Sequence, residues 1–220
     1  MLNLMQRAKP HVPPPGRSKE HERQISMRKF KGKKIKSILL FGAPGSGKGT
    51  QGKALSQIPG LHHLSSGDVF RNLDSESQNG IYFDSFAGQG NLVPDDVTIR
   101  IIRENIQGRI SRRDFNPDRE IILLDGIPRN LNQAKLLNDD LNVIRIIYLN
   151  IHDPEMTLQR LKNRAIEEGR SDDIREDIIL RRLEIYHRDT KPILDHYPHN
   201  KLIEVDGGLS PTSVLSLITE

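Results

Sequence analysis

Nine residues constrain this chain more than any others: Gly42-Ala-Pro-Gly-Ser-Gly-Lys-Gly-Thr50. They follow an apolar run, Lys36-Ser-Ile-Leu-Leu-Phe41, that reads as a buried strand, and they open a helical stretch over about 48–58. Glycines at this density let backbone N–H groups turn inward around an anion, where side chains would collide. A helix starting at the same point adds its positive end. Lys48 then reaches β- and γ-phosphates, and Thr50 offers a hydroxyl to them or to Mg²⁺. A glycine turn with no phosphate to hold has no need of a lysine here. Gly45, Ser46, Gly47, Lys48, Gly49 and Thr50 are therefore the candidate triphosphate cradle. Gly49 occupies the place where the general phosphate loop carries Ser or Thr, and the hydroxyl comes one residue later.

Further short apolar runs follow at Leu61–Leu64, Glu120–Leu124, Val143–Leu149 and Leu202–Val205. Runs of β-branched residues and leucine without alternation suit strands covered on both faces, hence a parallel sheet wrapped by helices. Helical stretches are expected at about 95–107, 130–139, 154–166, 172–197 and 210–219. The 220 residues suit one α/β domain with small inserted lobes. No apolar run is long enough to cross a bilayer. The absence of cysteine excludes a disulfide scaffold, a thiolate metal cage and a catalytic thiol.

Charge needs to be located before it is interpreted. The net +4 and pI near 9.3 look suited to nucleic acid. Residues 1–36, however, hold 11 of the 33 Lys and Arg and only 2 of the 29 Asp and Glu, which leaves 22 basic against 27 acidic residues beyond them. The basicity belongs to an N-terminal extension, Met1 to about Lys34, that also carries Pro10, Pro13, Pro14 and Pro15. Such a segment buries too little apolar surface to offset its ordering entropy, so it is expected to be disordered and solvated. A transit peptide and a nucleic-acid-binding arm are the sharper alternatives, and Met27 is an alternative start.

The run GAPGSGKGTQ resembles the nucleoside monophosphate kinases, the adenylate kinases in particular, and the resemblance recurs to the end of the chain. Leu64-Ser-Ser-Gly-Asp-Val-Phe-Arg71 and Gly90-Asn-Leu-Val-Pro-Asp95 look like the two halves of that family's monophosphate-binding motif. Leu124-Asp-Gly-Ile-Pro-Arg129 followed by Gln133 matches a third motif, and Arg160, Arg164 and Gly169-Arg-Ser-Asp-Asp173 match a fourth. Several motifs in the family's order are far more specific than a phosphate loop alone. The resemblance implies a doubly wound, five-stranded parallel sheet of the P-loop NTPase type. A monophosphate-binding lobe at about 65–95 and a short lid at about 164–170 would flank it. It also implies the reaction ATP + AMP ⇌ 2 ADP with Mg²⁺, in a cytoplasmic monomer with no membrane or nucleic-acid partner. A UMP/CMP kinase of the same fold, and a non-catalytic ATP-binding sensor, are the alternative readings.

Each piece has its own physical sense. Bringing two polyanions together needs mobile, bidentate cations. By resemblance, Arg71, Arg129, Arg170 and Arg182 hold the monophosphate and the migrating group, while Arg160 and Arg164 close over ATP. With Lys48, the last five of these six arginines form the expected catalytic set. Arg181 competes with Arg182, because the stretch before them is one residue longer than the family's form. Ser66, Asn91, Leu92, Val93, Gly126, Ile127, Pro128 and Gln133 complete the expected AMP site. Gln133 can present an amide to a purine edge. Ile127 stands where phenylalanine is usual, which removes aromatic surface, and Asn130 is shared with pyrimidine relatives. Asp125 ends an apolar strand, where a carboxylate can organise the water shell of Mg²⁺, and Asp68 is assigned the same role across the cleft. Asp172 and Asp173 are read as a helix cap and lid clamp. Only Ala165 to Gly169 separates Arg164 from Arg170, which leaves no room for a zinc-ribbon insertion. His62 and His63 lack partner ligands at metal spacing and are read as structural.

Overall fold

The computed structural model describes residues 30, 33–87, 90–167 and 175–220. Five strands, β1 (Ile35–Gly42), β2 (Leu61–Ser65), β3 (Ile121–Asp125), β4 (Leu141–Asn150) and β5 (Leu202–Asp206), form one sheet in the order β2-β3-β1-β4-β5. Every pairing is parallel. Around the sheet lie helices α1 (Lys48–Leu55), α2 (Ser66–Arg71), α3 (Gln78–Ala87), α4 (Asp95–Ser111), α5 (Leu131–Leu137), α6 (Pro154–Glu167), α7 (Glu176–Ile185) and α8 (Pro211–Thr219).

The alternating pleat of the strands sorts the core into two layers. Leu39 and Phe41 of β1, Leu124 of β3 and Ile146 of β4 face one layer with Ile102 and Ile106 of α4, Leu137 of α5 and Phe115. Leu40, Leu123, Ile147 and Val205 face the other, against Leu55 of α1 and Val214 of α8. Two covered faces explain why the strands read as unbroken apolar runs. Phe30 packs against the first layer, four residues before the expected boundary at 34. Residues 1–29, 31 and 32 of the expected extension lie outside the described residues.

The helical expectations need three changes. Helices α2 and α3, inside the expected lobe, had no clear periodic signal. The first is six residues long and is held by a cap, Ser65 Oγ accepting from the Asp68 N–H. Second, α4 runs through Gly108 to Ser111, because Ile106 and Ile110 continue its apolar face and Arg109 Nη1 donates to the His63 carbonyl. Third, the expected long helix over 172–197 is not continuous. Residues 172–174 lie outside the described residues, α7 ends at Ile185, and a π-helical turn (Tyr186–Thr190) leads into a 3₁₀ turn (Lys191–His196). Pro192 has no N–H to give and its ring crowds the preceding turn, so the α-helical ladder cannot pass it.

Register brings the candidate site's elements to one edge. Asp125 stands beside Leu40 of β1 and Ser65 of β2, and Gly42 stands beside Leu149 of β4. The carboxyl ends of the strands therefore open into one crevice, where parallel sheets bind ligands. No helix among the described residues is long and apolar enough to cross a membrane.

Candidate active site

That crevice is a cleft of about 780 Å³. Its floor is the turn between β1 and α1. Gly42 has φ +151°, and a Cβ there would lie 2.6 Å from the Leu149 carbonyl oxygen, so a side chain would separate β1 from β4. Gly47, the residue before α1, sits at φ +91° in the left-handed region, which releases the first N–H groups of α1 toward the cleft. Lys48 folds back over this turn, its Nζ donating to the carbonyls of Gly42 (2.8 Å) and Ala43 (2.9 Å).

Burial drives the Lys48 pKa down to about 8, against the pull of Asp125, while Arg164, Arg129 and Arg182 push it down further. Four cations thus converge on one point, opposed by one carboxylate that is 7% exposed. An acidic body with a positive cleft focuses attraction on an anionic ligand.

Gly45, Ser46, Gly47, Lys48, Gly49 and Thr50 all line the cleft, as do Arg160 and Arg164 of α6. So do Ser66, Asp68 and Arg71 of α2, Asn91, Leu92, Val93, Asp125, Gly126, Arg129, Gln133 and Arg182. Of the competing pair on α7, Arg182 lines the cleft, whereas Arg181 does not and donates from Nε to Oδ1 of the lining residue Asn91 at 2.9 Å. Arg170, Asp172 and Asp173 lie outside the described residues, as do residues 168–170 of the short lid expected at about 164–170. Ala165–Glu167 continue helix α6.

Two expected monophosphate contacts are not part of the cleft wall. Ile127 is 1% exposed and packs into the first core layer, and Pro128, joined to it by a cis peptide, does not line the cavity either. The reason is geometric: Gly126 turns at φ +72° and sends the next side chain down into the core. Gln133 borders the cleft with its amide oriented by two hydrogen bonds, which leave one N–H and one oxygen lone pair. Its Oε1 accepts the Arg129 N–H and its Nε2 donates to Asp95 Oδ1, both at 2.8 Å. Asn130 Nδ2 and Asn132 Nδ2 donate to the two oxygens of the same Asp95 carboxylate, each at 2.7 Å. Asp68 Oδ1 pairs with Arg71 at 2.5 Å. Ser66 Oγ donates to the Gly126 carbonyl at 2.8 Å, tying α2 to the turn after β3.

Arg129 is tied at its own backbone. Its N–H goes to Gln133, its Nε to the Gly126 carbonyl, and its carbonyl accepts from Thr190 Oγ1 at 2.7 Å. Thr190 closes the π-helical turn, which aims its hydroxyl across the cleft wall.

Sequence reasoning missed one whole wall. Gly207, Leu209, Pro211 and Val214 line the cleft beyond β5. Arg160 Nη1 and Nη2 donate to the carbonyls of Gly207 (2.6 Å) and Gly208 (3.2 Å), so this loop holds a catalytic candidate in place. The available signal was positional: a Gly-Gly turn directly after the last parallel strand lies at the ligand-binding edge of such a sheet. Phe70, Phe83 and Thr190, which also line the cleft, had no comparable signature. His62 meets Phe115 edge-on and Glu120 at 3.0 Å, and His63 lies 3.5 Å from Asp125 behind the cleft floor.

Comparison with known proteins agrees with this geometry. A family model described as adenylate kinase matches residues 40–202. The chain is 37% identical over 179 residues to an adenylate kinase of Flavobacterium psychrophilum, covering 79% of this chain and 90% of that protein. It is 36% identical over 188 residues to one of a Cyanothece species, covering 82% and 92%. A third relative, an adenylate kinase of the Aster yellows witches'-broom phytoplasma, is 32% identical over 216 residues, covering 83% of this chain and 96% of its own length.

Proposed function

The chain belongs to the adenylate kinase family, and on that premise we propose how its cleft carries out reversible phosphoryl transfer, ATP + AMP ⇌ 2 ADP. It is a phosphotransferase, and nothing in the comparisons favours a UMP/CMP kinase or a non-catalytic sensor. The observation that carries the site assignment is the convergence of Lys48, Arg129, Arg164 and Arg182 on one point of an otherwise acidic body.

In this reading the ATP phosphates lie in the turn Gly45–Thr50, held by backbone N–H groups and by Lys48. Lys48 exchanges its bonds to the Gly42 and Ala43 carbonyls for phosphate oxygens. Arg160 and Arg164 approach from α6, and the Gly207–Pro211 loop bounds the donor's nucleoside end. The acceptor enters between α2 and the Gly90–Val93 segment, its phosphate met by Arg71 and Arg129, with Arg182 spanning both substrates. Arg170 joins from the lid. The attacking phosphate oxygen is already an anion, so no protein base is needed. What the residues supply is alignment, charge stabilisation and exclusion of water.

Mg²⁺ arriving with ATP neutralises charge on the β- and γ-phosphate oxygens. Asp125 and Asp68 would hold its water shell. This suits a cation that is bound by one or two carboxylates and substrate phosphates rather than by a protein cage. No cluster of three or more metal-binding side chains occurs among the described residues.

The same reading takes residues 35–220 as the catalytic body, with the monophosphate lobe at about 65–95 and a short, zinc-free lid at about 164–170. Residues 1–34 are the appended extension, and the enzyme acts as a cytoplasmic monomer without nucleic-acid or membrane partners. A coupled assay for ADP, with AMP, GMP, UMP and CMP offered as acceptors to ATP, tests the function. AMP should be used far more efficiently than the others. Equal use of UMP or CMP would overturn the assignment of the acceptor, and no ADP from any of them would overturn the assignment of catalysis.

A further inference from the structure

Asp95 is not part of the cleft wall, yet one carboxylate there gathers three amides. It is the first residue of α4, and its Oδ1 accepts from Asn130 Nδ2 at 2.7 Å and from Gln133 Nε2 at 2.8 Å. Its Oδ2 accepts from Asn132 Nδ2 at 2.7 Å. All three donors lie at the start of α5, where Asn130 is the N-cap. Of the three, Gln133 borders the cleft, and it is 1% exposed.

We propose that Asp95 is a positioning residue for acceptor selection: it fixes which way round the Gln133 amide faces the base, so that an amino purine edge is accepted and a keto edge rejected. The proposal deepens the monophosphate reading and rests on it, Gln133 being the residue whose amide meets the base. Two partners of opposite character set the orientation. A carboxylate only accepts, so the Gln133 atom that faces Asp95 is the nitrogen. The Arg129 backbone N–H only donates, so the atom that faces it is the oxygen. The amide keeps one N–H and one oxygen lone pair, in a fixed order. Turning it over would set oxygen against carboxylate and N–H against N–H.

That order is what separates two purines of the same shape. Adenine presents an acceptor ring nitrogen beside a donor amino group, and hypoxanthine presents a ring N–H beside a carbonyl oxygen. An amide in one fixed order matches one of these edges, and meeting the other leaves buried polar groups unpaired. Asp95 is itself held in register. Asn130 Oδ1 accepts the Gln133 N–H at 2.8 Å, so Nδ2 is the atom it turns to Asp95. In Asp95→Asn, Asn130 and Gln133 would both still donate to one position, so the carboxamide oxygen takes that place. Its nitrogen then faces Asn132, which is exposed and can rotate into solvent.

The test compares AMP with IMP, which differ only at this edge, as acceptors in ADP formation from ATP. The wild-type protein should prefer AMP by at least about 100-fold in kcat/KM. Asp95→Ala leaves the Arg129 N–H alone to orient the amide, so the preference should fall about tenfold, through the KM of the acceptors. The KM for ATP should move by less than about twofold. Asp95→Asn should keep most of the preference. A merely structural role would lower the melting temperature and the use of both acceptors together, with their ratio unchanged. Equal use of AMP and IMP by the wild type, an unchanged ratio in Asp95→Ala, or a ratio lost as fully in Asp95→Asn would each overturn the proposal. If the alanine variant fails to fold, Asp95→Ser, which keeps a polar helix start but is one atom too short to hold both amides, takes its place under the same criteria. The two readings fail separately: a wild-type protein that makes no ADP from ATP and AMP refutes the acceptor assignment, whereas normal turnover of AMP with an unmoved ratio refutes only the role of Asp95.

Discussion

The lowered pKa of Lys48 turns nucleotide binding into a proton-uptake reaction. In the free protein burial brings the group to about 8, with Asp125 raising it and Arg164, Arg129 and Arg182 lowering it. A bound triphosphate sets several negative charges against the ammonium and returns it toward its ordinary value near 10.5. At pH 8 Lys48 is then about half charged when free and almost fully charged when bound, so each binding event takes up about 0.5 proton. The uptake falls to about 0.1 proton at pH 7 and rises to about 0.9 at pH 9. Apparent ATP affinity weakens in step, about twofold by pH 8 and about tenfold by pH 9. Isothermal titration calorimetry in two buffers of different ionisation heat reads the uptake directly. Lys48→Met should abolish it and lower kcat by about 10²–10³-fold, the loss expected for one electrostatic stabiliser of the transition state. Zero uptake at pH 9, or uptake that persists in Lys48→Met, would refute the reasoning. The sign for stability is opposite to the sign for binding. The unfolded chain keeps its lysine near 10.5, so between about pH 8 and that value it binds more protons than the folded, ligand-free protein. The Lys48 contribution to stability therefore rises with pH through that window.

Arg71→Ala should raise the KM for AMP about tenfold, since a charged hydrogen bond to phosphate is worth roughly 1.5–3 kcal/mol. Arg164→Ala should act mainly on the KM for ATP and on kcat, and steady-state kinetics with each substrate varied in turn separates the two. Thr190→Val strips the O–H donor from the Arg129 carbonyl while keeping the shape, so kcat should fall about tenfold and Thr190→Ser should restore it. A structural effect alone would lower the melting temperature without that rescue. Gly52→Ala places a Cβ 2.3 Å from His63 Nε2 and should cost about 1–3 kcal/mol in denaturant unfolding, with His63→Ala on the same chain recovering most of it. Additive destabilisation in the double variant would show that the clash is not with His63.

What could be read from the chain alone was what depends on neighbours in sequence. The glycines and lysine of 42–50 sit in one turn, so their chemistry follows from spacing. The apolar runs declared a sheet buried on both faces because that burial removes alternation, and Asp125 ended its strand as a carboxylate at the ligand edge of a parallel sheet must. The arginines, too, were recognisable within their motifs.

Tertiary structure decided which way those groups point and what holds them. Arg181 and Arg182 differ by one helical step, about 100° of azimuth, and only the docking of α7 selects the one that enters the cleft. Ile127 belonged to a binding motif by sequence yet fills the core, because the turn at Gly126 reverses the face its side chain meets. Gln133 carries an amide suited to a base, and only the fold shows that Asp95, 38 residues earlier, accepts one of its N–H groups and orients it. The carbonyls of Gly207 and Gly208 that seat Arg160 have no side-chain signature at all. Phe83 joined the site only when α3 folded onto α2 and stacked it on Phe70. Local sequence sets the chemical identity and the preferred backbone turn of each motif, whereas the azimuth of a side chain and the partner of a backbone oxygen are set by elements far away in the chain. Those two quantities exist only once the elements have packed.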